Sequence, residues 1–134
     1  MNSTIAPQLA GTTLGDAGDS FVIAEWRDAG GSAGERRLIA PRHVHFKDDE
    51  GWYVLEGELR VQRGDEEVTV HAGAAVLVPR GTPHTYWNPG PGPARYLLIM
   101  TPNIHQLIRD IHTLEERTPE RLAAVFREHD SALV

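Results

Sequence analysis

The chain has 134 residues, of which 40% are hydrophobic and 24% charged, which fits one folded domain with its own core and leaves no room for a second. A formal charge of −6 excludes nonspecific attraction to nucleic acid or to an anionic membrane surface. There is no cysteine, so disulfides, thiolate zinc sites and cysteine nucleophiles are excluded, and any metal must sit on nitrogen and oxygen. The opening residues, MNSTIAPQLAGTTLG, have neither a basic segment nor an apolar one, and no stretch approaches the ~18 apolar residues of a membrane span. The expectation is a cytoplasmic protein.

In chain order, short β-rich runs alternate with turn residues. Phe21 to Trp26 reads as the first strand, followed by a Gly-rich loop from Asp28 to Glu35 that reads as mobile. Further strands are expected at Gly51 to Leu55, Glu58 to Gln62, Glu67 to His71, Ala75 to Val78, His84 to Trp87 and Tyr96 to Met100. Their separators are turn chemistry: Gly64 and Asp65, Pro79 to Pro83, and Asn88 to Pro93. Regularly spaced short strands imply a sandwich or barrel. His71 alternates with Val68 and Val70 at the end of its run and is expected to face solvent.

After Thr101 the period changes to helix. Ile104, Leu107, Ile108, Ile111 and Leu114 form one apolar stripe, and a second helix is expected to start with Thr118 as N-cap and Pro119 in first position, with Leu122, Val125 and Phe126 as its stripe. Both stripes call for a sheet or a second subunit to dock on, not a membrane, because the polar faces are mixed in sign. His105, Arg109 and His112 share a flank that reads as solvated.

The segment Pro41 to Gly57, PRHVHFKDDEGWYVLEG, raises the chemical question. Alternate residues of a strand share a face, so His43 and His45 present both imidazoles to one point if the segment is extended. Alone, such a pair is usually a solvated strand face, and Asp48 and Asp49 are ordinary turn residues. The wider spacing is more informative. Glu50 follows His45 after four residues and Gly57 follows after six more, while Gly73, Pro79, Gly81, His84 and Asn88 surround a third histidine downstream. The chain here resembles the cupin superfamily, whose two motifs are HxH, four residues, E, six residues, G, and G, five residues, PxG, two residues, H, three residues, N. One position departs: Arg37 stands where the family has glycine six residues before the first histidine, with Gly34 nearby as a possible shifted turn.

The resemblance covers about Ser20 to Pro102. It implies an all-β double-stranded β-helix, a jelly-roll barrel over residues 20–102, with a helical tail over about 103–130, the whole chain being one domain. It implies one divalent metal, Fe, Mn, Ni, Cu or Zn, on His43, His45, Glu50 and His84, a nitrogen and oxygen set suited to those ions. Asp49 is the rival to Glu50, and a barrel that binds organic ligands without metal is the alternative to a metal site. Because ligand histidines must be neutral, metal affinity is expected to fall as pH drops through roughly 6.5.

Strand parity then brings Trp52 and Val54 to the side of Glu50 and Tyr86 to the side of His84, giving an apolar, aromatic pocket, or simply a packed core. The same parity sends Arg42 outward, and no Arg or Lys cluster can be placed inside to hold a phosphate. The stretch from Asp49 to Asn88 resembles small bacterial quercetin dioxygenase-like cupins. By that resemblance Glu50 is both ligand and proton acceptor, and the substrate is a small apolar or aromatic oxygenated molecule. A non-catalytic binding or sensor cupin is the alternative, and a sugar isomerase or epimerase is the third. The expected partners are a small molecule and a second copy of the chain, in a homodimer that covers sheet edges and tail stripes, with no nucleic acid or membrane.

Overall fold

The computed structural model describes residues 4–31 and 36–134. The strands are β1 (Thr13–Leu14), β2 (Val22–Asp28), β3 (Leu38–His45), β4 (Glu50–Glu56), β5 (Glu58–Arg63), β6 (Glu66–His71), β7 (Ala75–Val78), β8 (His84–Trp87), β9 (Ala94–Met100) and β10 (Ser131–Leu133). Two helices, α1 (Pro102–His112) and α2 (Pro119–Glu128), lie between β9 and β10. The strands form two five-stranded sheets in the orders β1-β2-β9-β4-β7 and β10-β3-β8-β5-β6, with every neighbour antiparallel. Chain-adjacent strands therefore often lie in different sheets. This is the jelly-roll arrangement, in which inward residues of both sheets share one core.

The core follows strand alternation. Trp52 and Val54 of β4, Leu59 and Val61 of β5, Tyr86 of β8, and Tyr96, Leu98 and Met100 of β9 point inwards and are almost fully buried. His71 is exposed, as the alternation requires. The Gly57 turn between β4 and β5 shows why glycine is needed there. Its φ is +75°, and a Cβ would stand 2.4 Å from the Pro93 carbonyl oxygen, so a side chain would meet both backbone strain and a collision with main chain.

Both helices start as the sequence predicts. Thr101 accepts a hydrogen bond from the Ile104 N–H and Thr118 from the Arg121 N–H, each at 3.2 Å, with proline in the first turn. Their apolar stripes turn towards the chain's own barrel: Ile104 joins the main core, while Leu107, Val125 and Phe126 form a second cluster with Ile111, Leu114, Leu122 and Leu133. The tail therefore closes one end of the barrel it follows.

Three features differ from the sequence reading. The two-residue β1 and three-residue β10 are too short for any periodicity to show, and β10 extends the tail beyond its helices. The strand carrying the histidine pair begins at Leu38 and is irregular against β8, with register shifts between Leu38 and Ala40 and between Ala40 and His43. Pro41 has no N–H to give to a ladder, which suits a bulge at that point. Arg37 lies just before β3 and turns outward to the Asp28 carboxylate at 3.5 Å and the Gly30 carbonyl at 3.4 Å, so the arginine at the departing motif position is accommodated in solvent. The proposed Gly34 turn and the end of the Asp28 to Glu35 loop fall outside the described residues.

Candidate metal centre

Four polar side chains meet between the sheets. His43 and His45 come from β3 and His84 from β8, directly paired with His43 in register, while Glu50 opens β4 in the opposite sheet. All four are buried, and one ligand atom from each lies within 4.8 Å of the others. The PxG turn positions His84 by attachment to the first motif: the Gly81 N–H donates to the His45 carbonyl at 2.7 Å, and Gly81 has φ +81°, which favours glycine. Asp49 is exposed and turned away, accepting from the Arg80 backbone N–H at 2.8 Å and from its guanidinium at 3.2 Å. The four-residue gap after His45 favours Glu50 over Asp49, and the geometry brings Glu50 to the histidines.

The hydrogen bonds around the rings fix how they can be used. His43 Nδ1–H donates to the Pro41 carbonyl at 2.6 Å, His84 Nδ1–H to the Thr82 carbonyl at 2.9 Å, and His45 Nδ1–H to Ser131 Oγ at 2.8 Å. Each Nε2 is thereby left with a lone pair directed inwards. Yet the Nε2 atoms of His43 and His45 are only 3.1 Å apart, and Glu50 Oε1 is 3.0 Å from His84 Nε2 and 3.4 Å from His45 Nε2. Converging acceptors at such distances repel unless a cation lies among them. A proton on Nε2 can serve, and so can a metal, for which three imidazoles and one carboxylate are a fitting donor set.

The electrostatics agree. Burial, and then the nearby His84 and His45, push His43 down from 6.5 to about 4. Burial alone would raise Glu50, but with a proton on Nε2 of His45 or His84 the hydrogen bonds from those rings outweigh it and hold the carboxyl at about 2. His43 is thus neutral and Glu50 ionised near neutral pH, the forms that bind metal.

A pH dependence follows for the metal-free protein. The unfolded chain takes up a proton on His43 near 6.5, whereas the folded chain resists until about 4, so this contribution is complete above 6.5 and is lost as pH falls to about 4. The displacement is worth on the order of 3 kcal/mol. Urea unfolding of chelator-treated protein should show lower stability at pH 4.5 than at pH 7, and His43→Gln should flatten that slope. An equal slope in the variant would assign the effect elsewhere.

Ser131 could not have been found from the sequence, because it belongs to no motif and stands 86 residues from His45. β10 pairs with β3 so that Ser131 lies opposite His45, and Ser131 Oγ–H donates to the His129 carbonyl at 3.0 Å, which leaves its oxygen to accept from the imidazole. Such partners of metal-binding histidines typically carry 10–100-fold in affinity. Ser131→Ala is expected to weaken metal binding by about that factor in chelator competition while the fold persists, and Ser131→Thr to recover part of it. Unchanged affinity in Ser131→Ala would remove Ser131 from the site.

The centre lies in the wall of a cavity of about 520 Å³. Trp52 and Tyr86 line it, joined by Tyr96 and Leu98 of β9 and by Ile104, Leu107 and Phe126 of the tail. Val54 lies on the same face of β4 but deeper, fully buried in the core and not among the cavity-lining residues. Phe126 packs its ring 5.2 Å from that of His43. Tail residues read from the sequence only as packing stripes therefore form part of the site wall. Arg27, His112 and Arg117 are exposed lining residues, which puts His112 at the rim of the site as well as on a solvated flank. Arg42 points elsewhere, donating to the Gly64 carbonyl at 3.3 Å.

Comparison with known proteins agrees with this architecture. The cupin domain model matches residues 35–100. The chain is similar to TT1209 of Thermus thermophilus, with 30% identity over 62% of this chain and 73% of that one and a TM-score of 0.53. It is similar to a sugar phosphate isomerase of Silicibacter pomeroyi, with 26% identity over 62% of this chain, a TM-score of 0.53, and only about half, 51%, of that protein's length covered. An uncharacterized Klebsiella pneumoniae protein with a double-stranded β-helix domain shares the fold at 22% identity, 74% and 79% coverage and a TM-score of 0.56. A search of curated proteins finds no match. No helix among the described residues is long and apolar enough to cross a membrane. Two motifs, the jelly roll they build and the match over its central strands make this chain a member of the cupin superfamily.

Proposed function

We propose that the protein is a metal-dependent oxidoreductase of the dioxygenase type, acting on a small apolar or aromatic oxygenated molecule. The observation that carries this reading is the convergence of four acceptor atoms at the wall of a largely apolar cavity. His43, His45, Glu50 and His84 would hold one divalent ion. When bound, that ion supplies Lewis-acid positions for an oxygen substrate and for dioxygen. Trp52, Tyr86 and Phe126 orient the substrate body, and the tail helices exclude water from the buried carboxylate. Glu50 accepts the proton of a substrate hydroxyl.

Metal analysis of purified protein combined with oxygen-uptake assays on flavonols and enediols tests this. Uptake by metal-replete protein supports it. No uptake across a broad panel moves the reading to a non-catalytic ligand-binding cupin. A sugar isomerase is favoured by the likeness to the Silicibacter pomeroyi enzyme, but among the lining residues the only guanidiniums are the exposed Arg27 and Arg117, and no lysine lines the cavity. Among the described residues, no buried guanidinium or ammonium lines the cavity to hold a phosphate beside the centre.

The reading includes a homodimer. The tail stripes are spent on the barrel, whereas Phe21, Leu77 and Ile99 stand exposed on the outer side of the β1-β2-β9-β4-β7 sheet, and a second copy would cover them. Sedimentation is expected to give a dimer at micromolar concentration, and a strict monomer there rejects it.

A further inference from the structure

The cavity wall carries hydrogen-bond donors that the metal chemistry leaves unused. Tyr86 of β8 and Tyr96 of β9 face one another from opposite sheets, with hydroxyl oxygens 3.0 Å apart and rings edge-on at 5.7 Å. Both line the cavity and both are buried. Two phenols bring two hydroxyl protons, and their mutual hydrogen bond uses one. The second proton has no acceptor among the described residues. The indole N–H of Trp52, whose ring lies 5.3 Å from that of Tyr86, is buried beside the Tyr86 hydroxyl and has no other partner among the described residues. Buried donors are rarely left unmade, because each costs roughly 1–3 kcal/mol. An ordinary phenol loses its proton only at about pH 10, so both remain donors at neutral pH.

We infer that Tyr86 and Tyr96 form a subsite that reads an acceptor oxygen of the ligand, a carbonyl or ether, at the far end from the oxygen held at the histidine and glutamate centre. The donors are in surplus there, so a ligand presenting only an alkyl group leaves them unpaired. Tyr86 follows His84 by two residues on the same strand face, a separation of ~7 Å. One para-disubstituted ring spans such a distance. The ligand class is therefore a flat, ring-bearing molecule with a hydroxyl at one end and a carbonyl or ether oxygen at the other, its body against the apolar wall of Leu98 and the tail helices. This rests on the reading above that the centre binds a substrate oxygen through metal.

The test compares two probes of nearly one shape, 4-hydroxyacetophenone and 4-ethylphenol, by calorimetry on the zinc-loaded full chain, in which no oxidation competes. The variant is the double replacement Tyr86→Phe with Tyr96→Phe, since either phenol left alone would still donate. Thermal melting and zinc content verify that it is folded and loaded. Wild type is expected to prefer the ketone by about fivefold to tenfold, and the double variant to bind both probes alike. No ketone preference in wild type, as when ordered water satisfies the donors, overturns the subsite alone, and so does a preference that survives in the double variant. Failure of both probes to bind zinc-loaded wild type overturns the subsite together with the reading on which it rests.

Discussion

Replacing His84 by alanine is expected to abolish stoichiometric metal. Its Nε2 is 3.0 Å from Glu50 Oε1, and its ring packs against those of His43 and His45, so its lone pair is central to the set. The three donors that remain come from two strands, and nothing among the described residues is placed to replace the lost one. The fold should survive, because the Thr82 carbonyl released by the loss of Nδ1 lies in a turn only partly buried. Elemental analysis with chelator competition measures the effect, and circular dichroism verifies folding. Full occupancy in a folded His84→Ala protein would reject the four-ligand assignment.

The second large effect is expected at Glu50. Glu50→Gln should lose turnover more completely than it loses metal. Glutamine keeps a carbonyl oxygen that coordinates weakly, but it cannot accept a proton. Removing a placed base typically costs on the order of a hundredfold or more in rate. An ionised carboxylate takes a proton readily only from a hydroxyl that is itself acidified, which ties the base role of Glu50 to a loaded site. Trp52→Phe is the contrast: it keeps an aromatic wall and should leave metal content alone while weakening the binding of an apolar substrate. Oxygen consumption by metal-loaded wild type and both variants decides, and equal rates for wild type and Glu50→Gln would reject the base role.

How much of this was legible in the sequence depends on the range of each interaction. Strand positions, both helix N-caps and the inward parity of Trp52 and Tyr86 are set within a few residues, and the sequence carries them openly. The donor set was legible because each motif fixes its own turn: Gly81 and Pro79 place His84, and the segment after His45 places Glu50. What was hidden is long-range. That Tyr96 lines the cavity depends on β9 lying between β2 and β4, a pairing that no local period announces. Phe126 shows only as part of an amphipathic stripe, and the stripe does not say which end of the barrel it meets. The sequence reading also placed Val54 beside Trp52 on correct parity, but parity gives the face of a strand and not the depth along it.

The pairing of β10 with β3 has a consequence for how the protein is made. Synthesis releases His45 86 residues before Ser131. At typical rates that is an interval on the order of ten seconds. Throughout it, the strand bearing His43 and His45 exposes an open edge, the kind of surface that recruits other strands, and no cap holds the His45 ring. A metal ion captured early would find two imidazoles before it finds His84. A metal centre here would therefore mature late in biogenesis, and a ribosome-bound nascent chain halted before Ser131 is expected to hold metal more loosely and to aggregate through strands more readily than the released chain.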